Sequence, residues 1–270
     1  MKIFTPLAFS AVVPISGFRW VSRAPDGEWS AAEPPADWPE QDYEASYAEA
    51  GENYGSADRF FLAAPASLSL PDEQSDRKII YAPDLYLDFA SRRATPTTIL
   101  ELATRFGFLG MHGDPLAGDY VDVSEPNRIF DQDTELRVES GSRWLAEFAS
   151  TRSILDEWTN LQQRGDRSEI AAFIEDRYRY PMGGELGFQI RIDAETGEME
   201  SQVIATTLSS FLEIQIGMAI AAVPGHRKCG SCTKWFPVFP AEGRPEKLYC
   251  SDACRMRAYR KRKSSREAVM

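Results

Sequence analysis

At 270 residues, 43% hydrophobic and 26% charged, the chain is long enough to bury a core without leaning on metals or disulfides for size alone, and its composition excludes wholesale disorder. The formal charge of −11 hides a division: residues 225–270 hold twelve Lys/Arg against four Asp/Glu, a balance of +8, while the other 224 residues carry −19. Such asymmetry marks a tail that meets a polyanion, or one that clasps the acidic body of its own chain.

In chain order, the apolar-leaning run from Ile3 to Ile15 is interrupted by Pro6 and Pro14 and shows no small-x-small cleavage pattern, so it reads as a strand rather than a leader. Two strand-like runs follow from this region, Leu7 to Val13 and Phe18 to Ser22. From Pro25 to Asp58 the sequence turns acidic and proline-rich, the signature of a surface loop or linker. A helix capped by Thr97 or Thr98 is expected through Phe106, with Gly107 to end it. A longer one is expected from Ser142 to Gln163, whose apolar positions Trp144, Leu145, Phe148, Ile154, Leu155, Trp158 and Leu161 keep the three-four rhythm of a core-facing stripe. Gly165 stops it, and Ser168 begins another helix through Tyr178. The alternating run Leu186 to Ile192, a turn over 193–197, and Met199 to Ala205 predict a β-hairpin. Thr206 or Thr207 then opens an apolar helix to Ala222, closed by Pro224-Gly225. That helix carries Glu213 and Gln215 and is too short to span a bilayer, so no membrane segment is expected.

These elements divide the chain into a strand-poor segment with an acidic, proline-rich loop (1–60), a largely helical α+β body (61–224) and a metal-binding tail (225–270). The fold class expected is α+β: a mostly helical body with short strands and a β-hairpin, followed by a small treble-clef-like zinc finger.

Chemistry concentrates in the tail. All four cysteines lie between Cys229 and Cys254, as a Cys-x2-Cys separated by seventeen residues from a Cys-x3-Cys. A disulfide framework would spread its cysteines over the structure it staples; two close pairs flanking a hairpin-sized gap converge on one tetrahedral ion. Cys229, Cys232, Cys250 and Cys254 are therefore the expected ligands of a structural Zn²⁺, and four thiols kept reduced point to a cytoplasmic protein. In this reading Lys234 to Val238 and Lys247 to Tyr249 are the arms of a hairpin, Ser251 is an N-cap, and Cys254 falls in the first helical turn, where the helix dipole favours a thiolate. His226, with four thiolates already present, is a solvated neighbour. The helix that follows carries Arg255, Arg257, Arg260, Lys261, Arg262 and Lys263, and Met256 and Tyr259, three apart, are expected to pack back on the finger. Zinc with four thiolates lowers the tail's balance from +8 only to about +6, a surface suited to phosphates.

The run Lys228-Cys229 to Trp235-Phe236, followed by Tyr249-Cys250-Ser251-Asp252-Ala253-Cys254-Arg255-Met256-Arg257 and on to Arg262, resembles the tails of many bacterial proteins. It is similar in layout to the CGNR-type zinc finger, and that resemblance implies DNA binding as a regulator. Where the family has Cys-Gly-Asn-Arg, this chain has Cys254-Arg255-Met256-Arg257, and its first cysteine pair is more tightly spaced.

The expected function is zinc-dependent contact with nucleic acid, DNA foremost, by the six cations of the last helix; the alternative is a protein-interaction module or an intramolecular clasp, with self-association or a protein partner. No Asn or Gln lies on that helix to read adenine, which leaves arginine to guanine or phosphate contacts. Catalysis is not expected. His112 is the only histidine of the body, no phosphate loop or nucleophile elbow is present, and acid pairs such as Asp131 with Asp133 or Glu185 with Glu195 arise by chance among 41 acidic residues.

Overall fold

The computed structural model describes residues 7–14, 18–23, 29–35, 60–65, 75–80, 82–110, 119–121, 136–178, 186–192, 199–205, 207–222, 225–238 and 247–267. In chain order they form β1 (Leu7–Pro14), β2 (Arg19–Arg23), β3 (Trp29–Ala31), β4 (Phe60–Pro65), β5 (Ser75–Ile80), α1 (Leu85–Ser91), α2 (Pro96–Phe106), β6 (Asp119–Val121), β7 (Leu136–Ser140), α3 (Gly141–Arg164), α4 (Arg167–Tyr178), β8 (Leu186–Ile192), β9 (Met199–Ala205), α5 (Leu208–Ala222), β10 (His226–Lys228), β11 (Trp235–Pro237) and α6 (Asp252–Glu267). The chain is of mixed helix and strand. Among the described residues no helix is long and apolar enough to cross a membrane.

Two compact units are distinguished: Met1–Pro83 with Arg93–Phe148 and Met182–Phe211, and Asp84–Arg92 with Ala149–Pro181 and Leu212–Met270. The first holds a four-stranded sheet in the order β5-β1-β9-β8 and a five-stranded sheet in the order β3-β2-β4-β7-β6. The hairpin expected from the alternation over 186–205 forms in register from Leu186↔Ala205 to Ile192↔Met199. β1 runs antiparallel to β5 and parallel to β9, and a parallel pair needs the long intervening chain that this unit has. β1 and β2 lie in different sheets, and the segment read as loop contributes β3, which pairs with β2. Strand is thus more plentiful than the pattern of the first sixty residues suggested.

Local chemistry places α2. Its N-cap is Thr95, whose Oγ1 accepts from the Thr98 amide at 3.2 Å, and not Thr97 or Thr98. Pro96 explains the offset: it has no amide to satisfy, and its φ suits the first helical position. Gly107, at φ 84°, ends the helix as expected. Further on, Gly110 at φ 76° is a position only glycine fills, because a Cβ there would lie 2.8 Å from the Cβ of Thr207. The amides of Leu109 and Gly110 donate to the two carboxylate oxygens of buried Glu139 on β7, at 3.0 and 3.1 Å. Burial pushes Glu139 up to about 7 in spite of those donors and of Arg143.

The second unit is helical until its C-terminal module. On α3, Ile154, Leu155, Trp158 and Leu161 are buried; on α5, Leu212, Ile216 and Ala219; on α1, Leu85, Tyr86 and Phe89. The aromatic stripe read from the sequence is core, and Trp158 stacks on Phe173 of α4 with centroids 6.0 Å apart. α3 ends at Gly165, φ 72°. α4 starts one residue before Ser168, at Arg167, because Asp166 caps it: its Oδ1 accepts from the amides of Ser168 and Glu169 at 2.8 and 3.3 Å.

Candidate metal centre and basic helix

β10 and β11 form a short antiparallel hairpin with His226↔Pro237, Arg227↔Phe236 and Lys228↔Trp235. Its turn is the Cys-x2-Cys knuckle. The Cys229 amide donates to the Lys234 carbonyl at 2.9 Å, the Thr233 amide to the Cys229 carbonyl at 3.0 Å, and Thr233 adopts φ 60°, a left-handed conformation unusual for a β-branched residue. The expected pairing of Lys234 to Val238 with Lys247 to Tyr249 is not what forms. The arm 247–249 is not a strand; it meets the knuckle through single bonds, Gly230 amide to Leu248 carbonyl at 3.0 Å and Arg227 to Lys247 carbonyl at 3.4 Å.

Successive residues of a strand point to opposite faces, so the hairpin has two. One face carries Phe236, which packs with Cys229 and Cys254 and, at the margin, Cys232, Val238, Tyr249 and Cys250. The other carries His226, Lys228 and Trp235 and meets the helices of its own unit. Trp235 donates its amide to Ser91 Oγ at the end of α1 (2.9 Å), and Lys228 pairs with Asp156 of α3 at 3.0 Å while lying 4.9 Å from the Trp235 ring centroid. His226 is the correction: it is 2% exposed, its Nε2 lies 3.0 Å from the Tyr86 hydroxyl, and its carbonyl accepts from Thr159 Oγ1 at 3.0 Å. Burial pushes His226 down to about 4; burial, then the Asp84 charge, raises Tyr86 above its ordinary range. Both groups are neutral at pH 7. A signal for this second face was present in the sequence: two adjacent large aromatics, Trp235 and Phe236, in one strand require cover on both sides.

The four cysteine sulfurs converge within 4.8 Å of one another, with 3.6 Å separating Cys232 from Cys250 and Cys250 from Cys254. That is far beyond a disulfide bond, and all four thiols are free. It is close to the roughly 3.8 Å edge of a tetrahedron with metal–sulfur bonds of about 2.3 Å. The set of four thiol donors therefore fits a metal ion. Burial opposes ionisation of Cys229, but the amides of Cys250, Ser231 and Cys232 are aimed at its sulfur and bring it down to about 6; burial, with the crowding of the other sulfurs, raises Cys250 to about 12. Amides turned toward sulfur are what a thiolate ligand needs, and a cation at the centre would relieve the crowding.

α6 grows out of this cluster. Ser251 Oγ accepts from the Cys254 amide at 3.3 Å, the cap read from the sequence, and Cys254 is buried in the first turn. At about 100° per residue, Cys254, Ala258 and Lys261 share the side toward the finger. Met256 and Tyr259 fall on the opposite side and are 44% and 57% exposed, so they do not pack back as expected. Arg255, Arg257, Arg260, Lys261, Arg262 and Lys263 are all exposed. Arg255 pairs with Asp252 one turn back at 3.1 Å; among the described residues Arg257, Arg260 and Arg262 make no ion pair. A groove of about 540 Å³ runs between knuckle and helix, lined by Gly230, Ser231, Tyr249, Arg257, Lys261 and Arg262.

His112 and the acid pairs Asp131 with Asp133 and Glu185 with Glu195 lie outside the described residues. No family model matches the chain, the CGNR-type finger included, and no curated protein or solved structure matches it. What fold and site define together is a class: a mixed α/β protein with a four-cysteine metal site at its C-terminal end.

Proposed function

We propose that the metal is zinc, that residues 225–270 form a treble-clef-like finger, and that its last helix contacts nucleic acid, duplex DNA in particular, as a regulator. One observation carries this reading: a helix with six exposed cations begins at a metal ligand, so the ion that orders the cluster also aims the charge. Zinc suits four thiolates because it is indifferent to d-electron geometry and forms closed tetrahedral sites. The likeness to the CGNR-type finger points the same way.

A second reading, the clasp, draws on the hairpin's outer face, whose Tyr86, Ser91, Asp156 and Thr159 contacts hold the finger to helices of its own unit. The two readings divide the module by face, the hairpin serving the clasp and the helix the partner.

The test is elemental analysis of reduced, full-length protein, followed by anisotropy titration against a short labelled duplex across a range of salt. One zinc per chain is expected. Log affinity is expected to fall linearly with log salt, by about 0.9 per phosphate neutralised. Metal-free protein as isolated would remove the zinc assignment, and a metal-loaded protein that ignores the duplex at low salt would remove the DNA reading.

A further inference from the structure

The six cations of α6 between Arg255 and Lys263 are not equivalent. Arg257, Lys261 and Arg262 line the groove, and with Ala258 they occupy the i, i+1, i+4 and i+5 positions that share one helix face. Arg260 and Lys263 lie on the far side beside exposed Met256 and Tyr259, and Arg255 faces Asp252. The facing wall is the knuckle. Its amides are already committed, Gly230 to the Leu248 carbonyl and Ser231 to the Cys229 sulfur, so the polar group it offers to a ligand is the Ser231 hydroxyl. Tyr249 and Ala258 supply apolar lining between the charges.

Resting on the reading above, we infer that this groove seats the sugar-phosphate backbone of the bound nucleic acid, with Arg257, Lys261 and Arg262 on a phosphate and Ser231 donating to it. Guanidinium forks match phosphate oxygens bidentately, and two of them with a lysine converge here on one concavity. The volume lies in the span of clefts that take small-molecule ligands, and the Tyr249–Ala258 lining suits a sugar face better than a free carboxylate would need. Gly230 bears on the same wall. A Cβ there would meet Tyr249 Cε1 at 3.5 Å and the Leu248 carbonyl at 3.6 Å, ordinary contact distances, so the position accepts a side chain without disturbing the finger.

The experiment compares charge-matched variants of the full-length, zinc-loaded chain on the same labelled duplex: Arg257→Gln/Arg262→Gln in the groove and Arg260→Gln/Lys263→Gln on the far side, with Gly230→Glu to bring a carboxylate into the groove. Zinc content and thermal midpoint, read for each, report that the finger is intact. Both pairs remove two positive charges, so both lose the same long-range attraction. The groove pair is expected to bind about tenfold more weakly than the far pair and to lower the salt slope by about one, the share of the single phosphate it helps to hold, and Gly230→Glu should weaken binding as much as the groove pair. Equal losses in the two pairs, or a larger loss in the far pair, would overturn the groove while leaving the DNA reading intact. Wild-type protein that binds an acidic polypeptide but not the duplex would bring down both.

Discussion

Protonating His226 would place a cation in a site 2% exposed, where the polar partner of its ring is a neutral phenol. The folded state therefore holds fewer protons on this residue than the unfolded chain between pH 6.5 and about 4, and stability rises with pH across that window. The contribution is whole above pH 6.5 and is lost as pH falls through 4; a shift of this size corresponds to about 3 kcal/mol. Glu139 tilts the other way. Its folded value of about 7 against an ordinary 4.5 means stability is lost as pH rises through the same range, so the two slopes oppose each other in an acid titration of the whole protein. The difference between wild type and His226→Phe isolates the histidine. That difference, from denaturant unfolding, should move against wild type by about 3 kcal/mol between pH 7 and pH 4; a constant offset would show that the imidazole is not held neutral by its seat.

At the scale of the element, α6 depends on Ser251. The hydroxyl satisfies the Cys254 amide, so one bond caps the helix and orients a ligand together. Ser251→Ala should cost about 1 kcal/mol of helix stability. Because folding and metal capture are one equilibrium in modules of this size, metal affinity should drop about fivefold, read by competition with a chromophoric chelator. An unchanged affinity would mean that the metal alone organises the turn. This cap, the cysteine spacing and the hairpin over 186–205 were legible because each is written within a few neighbouring residues. The finger's hairpin was not. Three-residue strands carry too little alternation to name a partner, and the arm chosen, 247–249, lies near the knuckle without pairing to it. The side assigned to Met256 and Tyr259 failed for a related reason. Their spacing alone favours one face, but Cys254 turns toward the other three sulfurs and decides the rotation of the whole helix.

At the scale of the molecule, the sheet orders lay beyond reach of the sequence, since β1 pairs with strands some seventy and two hundred residues away and local pattern says nothing of which strands meet. The helical stripes did announce the core of the second unit, because burial of Ile154, Leu155, Trp158 and Leu161 follows from periodicity. Within that unit a metal held by the four sulfurs would reach further than its own cluster. The knuckle that holds Cys229 and Cys232 is the turn of the hairpin whose outer face carries His226 and Trp235 onto the helices. Chelation should therefore raise hydrogen exchange at Cys229, Gly230, Thr233 and Trp235, while amides of β8 and β9 keep their protection. Uniform deprotection across both sets would show that the metal holds the entire chain.

The sixteen residues of α6 amount to a rod of about 24 Å. Nucleotides on one strand of a duplex rise about 3.4 Å apart, so on the proposed reading a single copy lying along the backbone would cover a footprint of about seven. An address that short would recur throughout any genome, and a protein reading it through phosphates would add little discrimination of its own. Choosing among sites would then fall to the spacing between two copies or to what the remaining residues of the chain recognise.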